Sequence, residues 1–155
     1  MLIRDILQMK GGQIFGIAPD RPLAEAVREM VARDIGSLVV LDGGGMRGML
    51  TFREVLKALD SHGGALGGTL TELRVADVMV RDPVAGQPGD SVEHLRELMT
   101  QNHVRYLPVV DGGRLAGVIS FHDVAKAVIN QAAFENRLLR RYIESTPEAA
   151  APPPV

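Results

Sequence analysis

The chain has 155 residues, 46% of them apolar and 23% charged, the balance of a globular protein that buries a core. Its 17 Lys and Arg against 19 Asp and Glu give a formal charge of -2, which argues against a nucleic-acid footprint or a polybasic membrane patch. Cysteine is absent, excluding disulfides, thiolate metal sites and cysteine nucleophiles, and the lack of Trp argues against stacking on single strands.

The first twelve residues are too charged, and their apolar run too short, for a secretion signal, and no stretch reaches the length of a membrane span. The expected location is cytoplasmic. Leu2 to Leu7 predict a short helix, Lys10-Gly11-Gly12 a flexible break, and Ile14 to Ile17 a short strand. Pro22 stands at the first position of a helix whose buried face is predicted as Leu23, Ala26, Val27, Met30 and Val31. A hairpin follows, with Ser37 to Leu41, a turn at Asp42 to Gly45, and Met46 to Leu50; Thr51 to Leu59 then read as a helix. The order is β-α-β-β-α. Asp60 to Gly68 are Gly-rich without apolar periodicity, as in a linker.

The pattern then begins again. Asp5 is echoed by Asp77, 72 residues on, whereas Pro19 is echoed by Pro88, 69 residues on, so the second copy lacks three residues near Lys10. In that register Leu38 matches Leu107, Asp42 matches Asp111, Gly48 matches Gly117 and Phe52 matches Phe121. So many matches in one register identify an internal duplication. The second copy's first long helix is predicted to start at an Asp90 N-cap with Glu93 three residues later, burying Val92, Leu95 and Met99. The expected division is a first repeat over 1–60, a linker over 61–73, a second repeat over 74–130, a helix over 131–145 and a disordered Pro- and Ala-rich tail over 146–155.

The richest stretch is His103 to Val124, a hairpin ending in Ser120-Phe121-His122-Asp123. In α/β architectures ligands gather outside the carboxyl ends of strands, where free helix N–H groups favour anions. Two readings are open. Ser120 and Asp123 can hold a sugar's hydroxyls, or they are only an N-cap and a first-turn acid.

The tandem units, SLVVLDGGGMRGMLTFRE and RYLPVVDGGRLAGVISFHD, resemble a pair of cystathionine-β-synthase (CBS) domains, a Bateman module of the stand-alone bacterial type. The most specific part is the Gly-apolar-apolar-Ser/Thr-x-x-Asp ending. This resemblance implies an α/β fold of two β-α-β-β-α repeats packed about a pseudo-two-fold axis, plus the C-terminal helix. It implies two clefts for adenosine-type ligands: AMP first, then ADP, ATP, NAD or S-adenosylmethionine. Asp123 would bind ribose, Ser120 would lie near ribose or phosphate, and Arg105 and His122 would face phosphate. Val84 to Gln87 would line the same cleft at the adenine. In the first repeat the counterparts are Thr51, Arg53 and Glu54, with Gly36 in place of Arg105, so the second-repeat cleft is expected to be the main site.

The function expected from this resemblance is a regulatory module that senses an adenine nucleotide and signals by conformational change to an effector protein. No obligatory cofactor, metal, nucleic acid or membrane is expected. The alternative is a structural dimerisation module. Phe134, Leu138, Leu139, Tyr142 and Ile143 form an apolar helical stripe outside both repeats, from which a homodimer is expected. An enzyme is the weakest reading. Ser120, His122 and Asp123 crowd one helical turn without forming a relay, and His62, His94 and His103 read as ordinary surface histidines.

Overall fold

The computed structural model describes residues 1–61 and 66–145. The expected disordered tail and His62 lie outside them. The first repeat comprises α1 (Ile3–Lys10), β1 (Gly16–Ile17), α2 (Leu23–Arg33), β2 (Ser37–Asp42), β3 (Gly45–Thr51) and α3 (Phe52–Ser61). The segment read as linker carries a short helix, α4 (Leu66–Glu72). The second repeat comprises α5 (Val75–Val78), α6 (Val92–Gln101), β4 (Tyr106–Asp111), β5 (Arg114–Ser120) and α7 (Phe121–Ser145).

Both hairpins form as predicted. β2 and β3 pair antiparallel with Val39 opposite Met49, and β4 and β5 pair with Pro108 opposite Val118. The turn glycines Gly43, Gly44, Gly112 and Gly113 all have positive φ, which suits residues without a Cβ. β1 adds parallel to β2, whereas its counterpart in the second repeat is reduced to a single parallel bridge, Gly86 to Val109. β1 is shorter than predicted, although Val39 N still donates to Phe15 O at 2.9 Å, and Ile14 and Phe15 line a cleft.

Two further expectations shift. On α2, Leu23, Ala26 and Met30 are buried, but Val31 is 77% exposed. Eight residues from Leu23 it has rotated about 80° off the buried stripe. Asp90 is not the cap of α6: Ser91 is, its Oγ accepting from His94 N at 3.1 Å, while Asp90 closes the preceding turn by accepting from Gln87 N at 2.8 Å. Two adjacent cap-type residues divided the two tasks between them.

The cores do not follow the sequence repeats. Ile3 and Ile6 of α1 are buried with Val92, Leu95, Leu107 and Ile119 of the second repeat, and Val75 of α5 is buried with Leu23, Leu38 and Leu50 of the first. Backbone bonds fix the exchange: Ile3 N donates to Asp90 O at 2.9 Å, and Val75 N donates to Arg21 O at 2.9 Å. Each leading helix therefore completes the other repeat's core. The same cap recurs on both, with Asp5 accepting from Leu2 N and Asp77 from Arg74 N. The opposite face of the first sheet is covered as well, since Val39 and Met49 are both nearly inaccessible and β3 contacts β5.

Candidate functional site

Crossing of the leading helices means that each cleft has walls from both repeats. The larger, about 1020 Å³, has Ser120 and His122 on one side and Gln13, Ile14 and Phe15 of the first repeat on the other. The smaller, about 550 Å³, has Thr51, Arg53 and Glu54 facing Asp82, Pro83 and Val84 of the second. This corrects the placement of two residues. Val84 lies across from Glu54 and not beside Asp123, because the chain ahead of each repeat's sheet spans toward the other repeat's helix start. Gln87 lines neither cleft; it is exposed over a surface depression with Arg4 and the Asp111–Gly113 turn.

Ser120 and Asp123 form the cap that one reading of their motif expects. Asp123 Oδ2 accepts from Ser120 N at 2.8 Å, and Ser120 Oγ accepts from Asp123 N at 3.1 Å, a reciprocal cap on α7. His122 bonds to neither, so no relay forms. Phe121 N donates to Arg105 O at 2.7 Å, holding the residue ahead of β4 against the helix start. Thr51 and Glu54 repeat the design, with Thr51 N and the Thr51 hydroxyl both donating to Glu54 Oε2. Arg53 turns away from its own motif to donate to His103 O at 2.9 Å.

Arg105 lines both clefts, and its guanidinium carbon stands 5.8 Å from the centroid of the Phe52 ring, beside Thr51. Its counterpart Gly36 lines the larger cleft, where a Cβ would collide with the Tyr106 hydroxyl. The missing arginine at position 36 therefore takes charge away from the Ser120 cleft, the opposite of the effect expected from sequence. Burial raises the Tyr106 hydroxyl's pKa above its ordinary value; Arg105 opposes this and Asp123 adds to it. The hydroxyl remains a donor.

One residue that sequence reasoning passed over supplies the charge. Lys10 Nζ donates to Asp123 Oδ2 at 2.7 Å and to Val118 O at 2.8 Å. Its position near the three-residue excess of the first copy is the signal that could have marked it. With Arg105, His103 and His122 it makes the larger cleft rich in basic groups, against Asp34 on the rim. Burial pushes the Asp123 carboxyl up, but Lys10 and Ser120 together outweigh it and leave its pKa below the ordinary 3.8. A lowered folded pKa adds stability that is present above the unfolded value and lost as pH falls through the folded one. Wild-type urea midpoints are accordingly expected to fall more between neutral pH and the region below 3.8 than those of Lys10→Met. Parallel profiles would show that the pair contributes nothing.

Among the described residues no three His, Asp or Glu side chains are placed to hold a metal ion, and no helix is long and apolar enough to cross a membrane.

Comparison with known proteins agrees with this architecture. The family model for the CBS domain matches residues 3–61 and 75–130. The CBS domain-containing protein YhcV of Bacillus subtilis is 32% identical over 124 residues, covering 80% of this chain and 83% of its own. The CBS-domain protein ATU1752 of Agrobacterium tumefaciens superposes with a TM-score of 0.76 at 34% identity, over 82% of this chain and 98% of that one. At 21% identity, sharing the fold alone, stands the CBS domain pair of MJ0100 in complex with 5′-methylthioadenosine and S-adenosyl-L-methionine, with a TM-score of 0.72 over 84% and 98%. CBSX2 in complex with AMP gives 0.70 at 20% identity over the same shares. The matched tandem segments, the crossed pair of cores and these relatives together show that the chain belongs to the CBS-domain family.

Proposed function

We propose that the protein is a ligand-sensing regulatory module that binds an adenine nucleotide, AMP first and then ADP, ATP or NAD, in the Ser120–Asp123 cleft. The observation that carries this is a carboxylate fixed at a helix start beside a large cleft rich in basic groups. Asp123 Oδ1 takes no hydrogen bond from the described residues and can accept from a ribose hydroxyl; the guanidinium of Arg105 suits phosphate. The adenosine compounds held by MJ0100 and CBSX2 support the ligand class. Binding across walls from two repeats would shift one repeat against the other, the conformational signal that an effector protein reads. No step of this function is catalytic.

A melting screen with AMP, ADP, ATP, NAD and S-adenosylmethionine tests it. A ligand at a hundred times its dissociation constant stabilises by about 2.7 kcal/mol. At least one adenine nucleotide is expected to raise the melting temperature, and a flat panel would refute the reading.

A second reading, homodimerisation, is favoured by α7. From Val128 to Ser145 every residue is exposed, and the stripe includes Phe134 at 55% and Ile143 at 71%. Such a stripe gains stability by pairing with its own copy across a two-fold axis. The Leu138→Glu, Ile143→Glu double variant of the full chain is expected to sediment as a monomer where the wild type is a dimer. A dimeric variant would exclude the stripe as the contact.

A further inference from the structure

The two clefts are related by the duplication, yet one side chain breaks the relation. Lys10 lies near the three-residue excess of the first copy, and among the described residues Glu54 accepts from Thr51 with no lysine bonded to it. In the larger cleft Lys10 reaches from the end of α1 to the carboxylate of Asp123 and the carbonyl of Val118. Its side chain is 34% exposed and that of Asp123 18%. Behind it stand Gly11 and Gly12, with open space around both Cβ positions, so no packing locks the lysine's end of the helix. An ammonium thus rests on the same carboxylate that the proposed function assigns to ribose.

The geometry points to Lys10 as the residue that selects the ligand's charge class: it restricts the Ser120–Asp123 cleft to phosphate-bearing nucleosides. This rests on the adenine-nucleotide reading above. A neutral nucleoside can reach Asp123 at Oδ1 alone, or at both oxygens only by displacing the ammonium from Oδ2, and it offers the ammonium nothing in return. A nucleotide offers a phosphate, to which an ammonium makes a strong charge-assisted contact. The lysine exchanges one anion for another, and the ribose hydroxyls take its place on the carboxylate. A partly exposed ion pair is weak enough for that exchange. With glycine at position 36, the ammonium of Lys10 joins Arg105 in supplying positive charge to the larger cleft.

Calorimetry of the full chain with AMP and with adenosine tests this on wild type, Lys10→Met and Lys10→Arg. In the methionine variant AMP affinity is expected to fall about tenfold, the effect of losing one charged contact, while adenosine affinity holds or rises. The arginine variant is expected to keep the preference for AMP. Equal fold-changes for the two ligands, or a preference for AMP untouched by Lys10→Met, would overturn the role of Lys10 and leave the nucleotide reading standing. Failure of both ligands to bind the wild type would overturn that reading and the selection with it.

Discussion

Replacing Asp123 by alanine is expected to weaken AMP binding about tenfold to a hundredfold, because a charge-assisted hydrogen bond contributes about 1.5 to 3 kcal/mol. The carboxylate has two tasks, capping α7 through Ser120 N and holding Lys10, and its Oδ1 takes no hydrogen bond from the described residues. Asp123→Asn keeps an acceptor for Ser120 N but removes the charge, so it should lose less stability than alanine while still losing affinity. In either variant Lys10 is released and can still meet a phosphate. The loss should therefore be greater for adenosine than for AMP. Titration calorimetry reads both, and unchanged AMP affinity in Asp123→Ala would remove the carboxylate from the site. Glu54→Ala is the paired comparison. Its smaller cleft holds two carboxylates, Asp82 and Glu54, against the two cations Arg53 and Arg105, and the effect on AMP is expected to be less.

Gly48→Ala is expected to destabilise the fold by about 1 to 3 kcal/mol, and its counterpart Gly117→Ala by less. At Gly48 a Cβ would collide with the Val80 carbonyl oxygen and stand 3.1 Å from Met79 Sδ. That carbonyl is backbone held on both sides, with Met49 N donating to Val80 O at 2.9 Å and Val80 N donating to Met49 O at 2.8 Å. The strand cannot rotate out of the way, and the strap leading to Asp82, Pro83 and Val84 must lift. At Gly117 the added carbon meets Leu7 Cδ2 at 2.7 Å, the end of a side chain that can change rotamer. Urea denaturation of the two variants measures the difference. An equal or larger loss in Gly117→Ala would show that the strap over β3 is soft.

The two hairpins were legible because their signals are local: short apolar runs around an Asp-Gly-Gly turn, read twice in one register. The long helices were legible by periodicity, with only Val31 misplaced at the edge of the stripe. The exchange of leading helices was not. It is fixed by bonds such as Ile3 N to Asp90 O, between segments that no local pattern links. Everything misplaced at the site follows from it. Val84 was grouped with Asp123 because both belong to the second copy, and Lys10 was taken for part of a flexible break because its partner lies 113 residues away. The absence of an arginine at Gly36 was visible, but which cleft it affects depends on how the repeats cross. The pairing of Ser120 with Asp123 was legible from the motif, since a hydroxyl followed three residues later by a carboxylate is a local cap signal.

A crystal structure of the protein with AMP tests the central claim most directly. The account expects AMP in the cleft between Ser120 and the Gln13–Phe15 segment, with its ribose hydroxyls on Asp123 and its phosphate within reach of Lys10 or Arg105. AMP seated instead beside Thr51 and Glu54, or bound with no contact to Asp123, would contradict it.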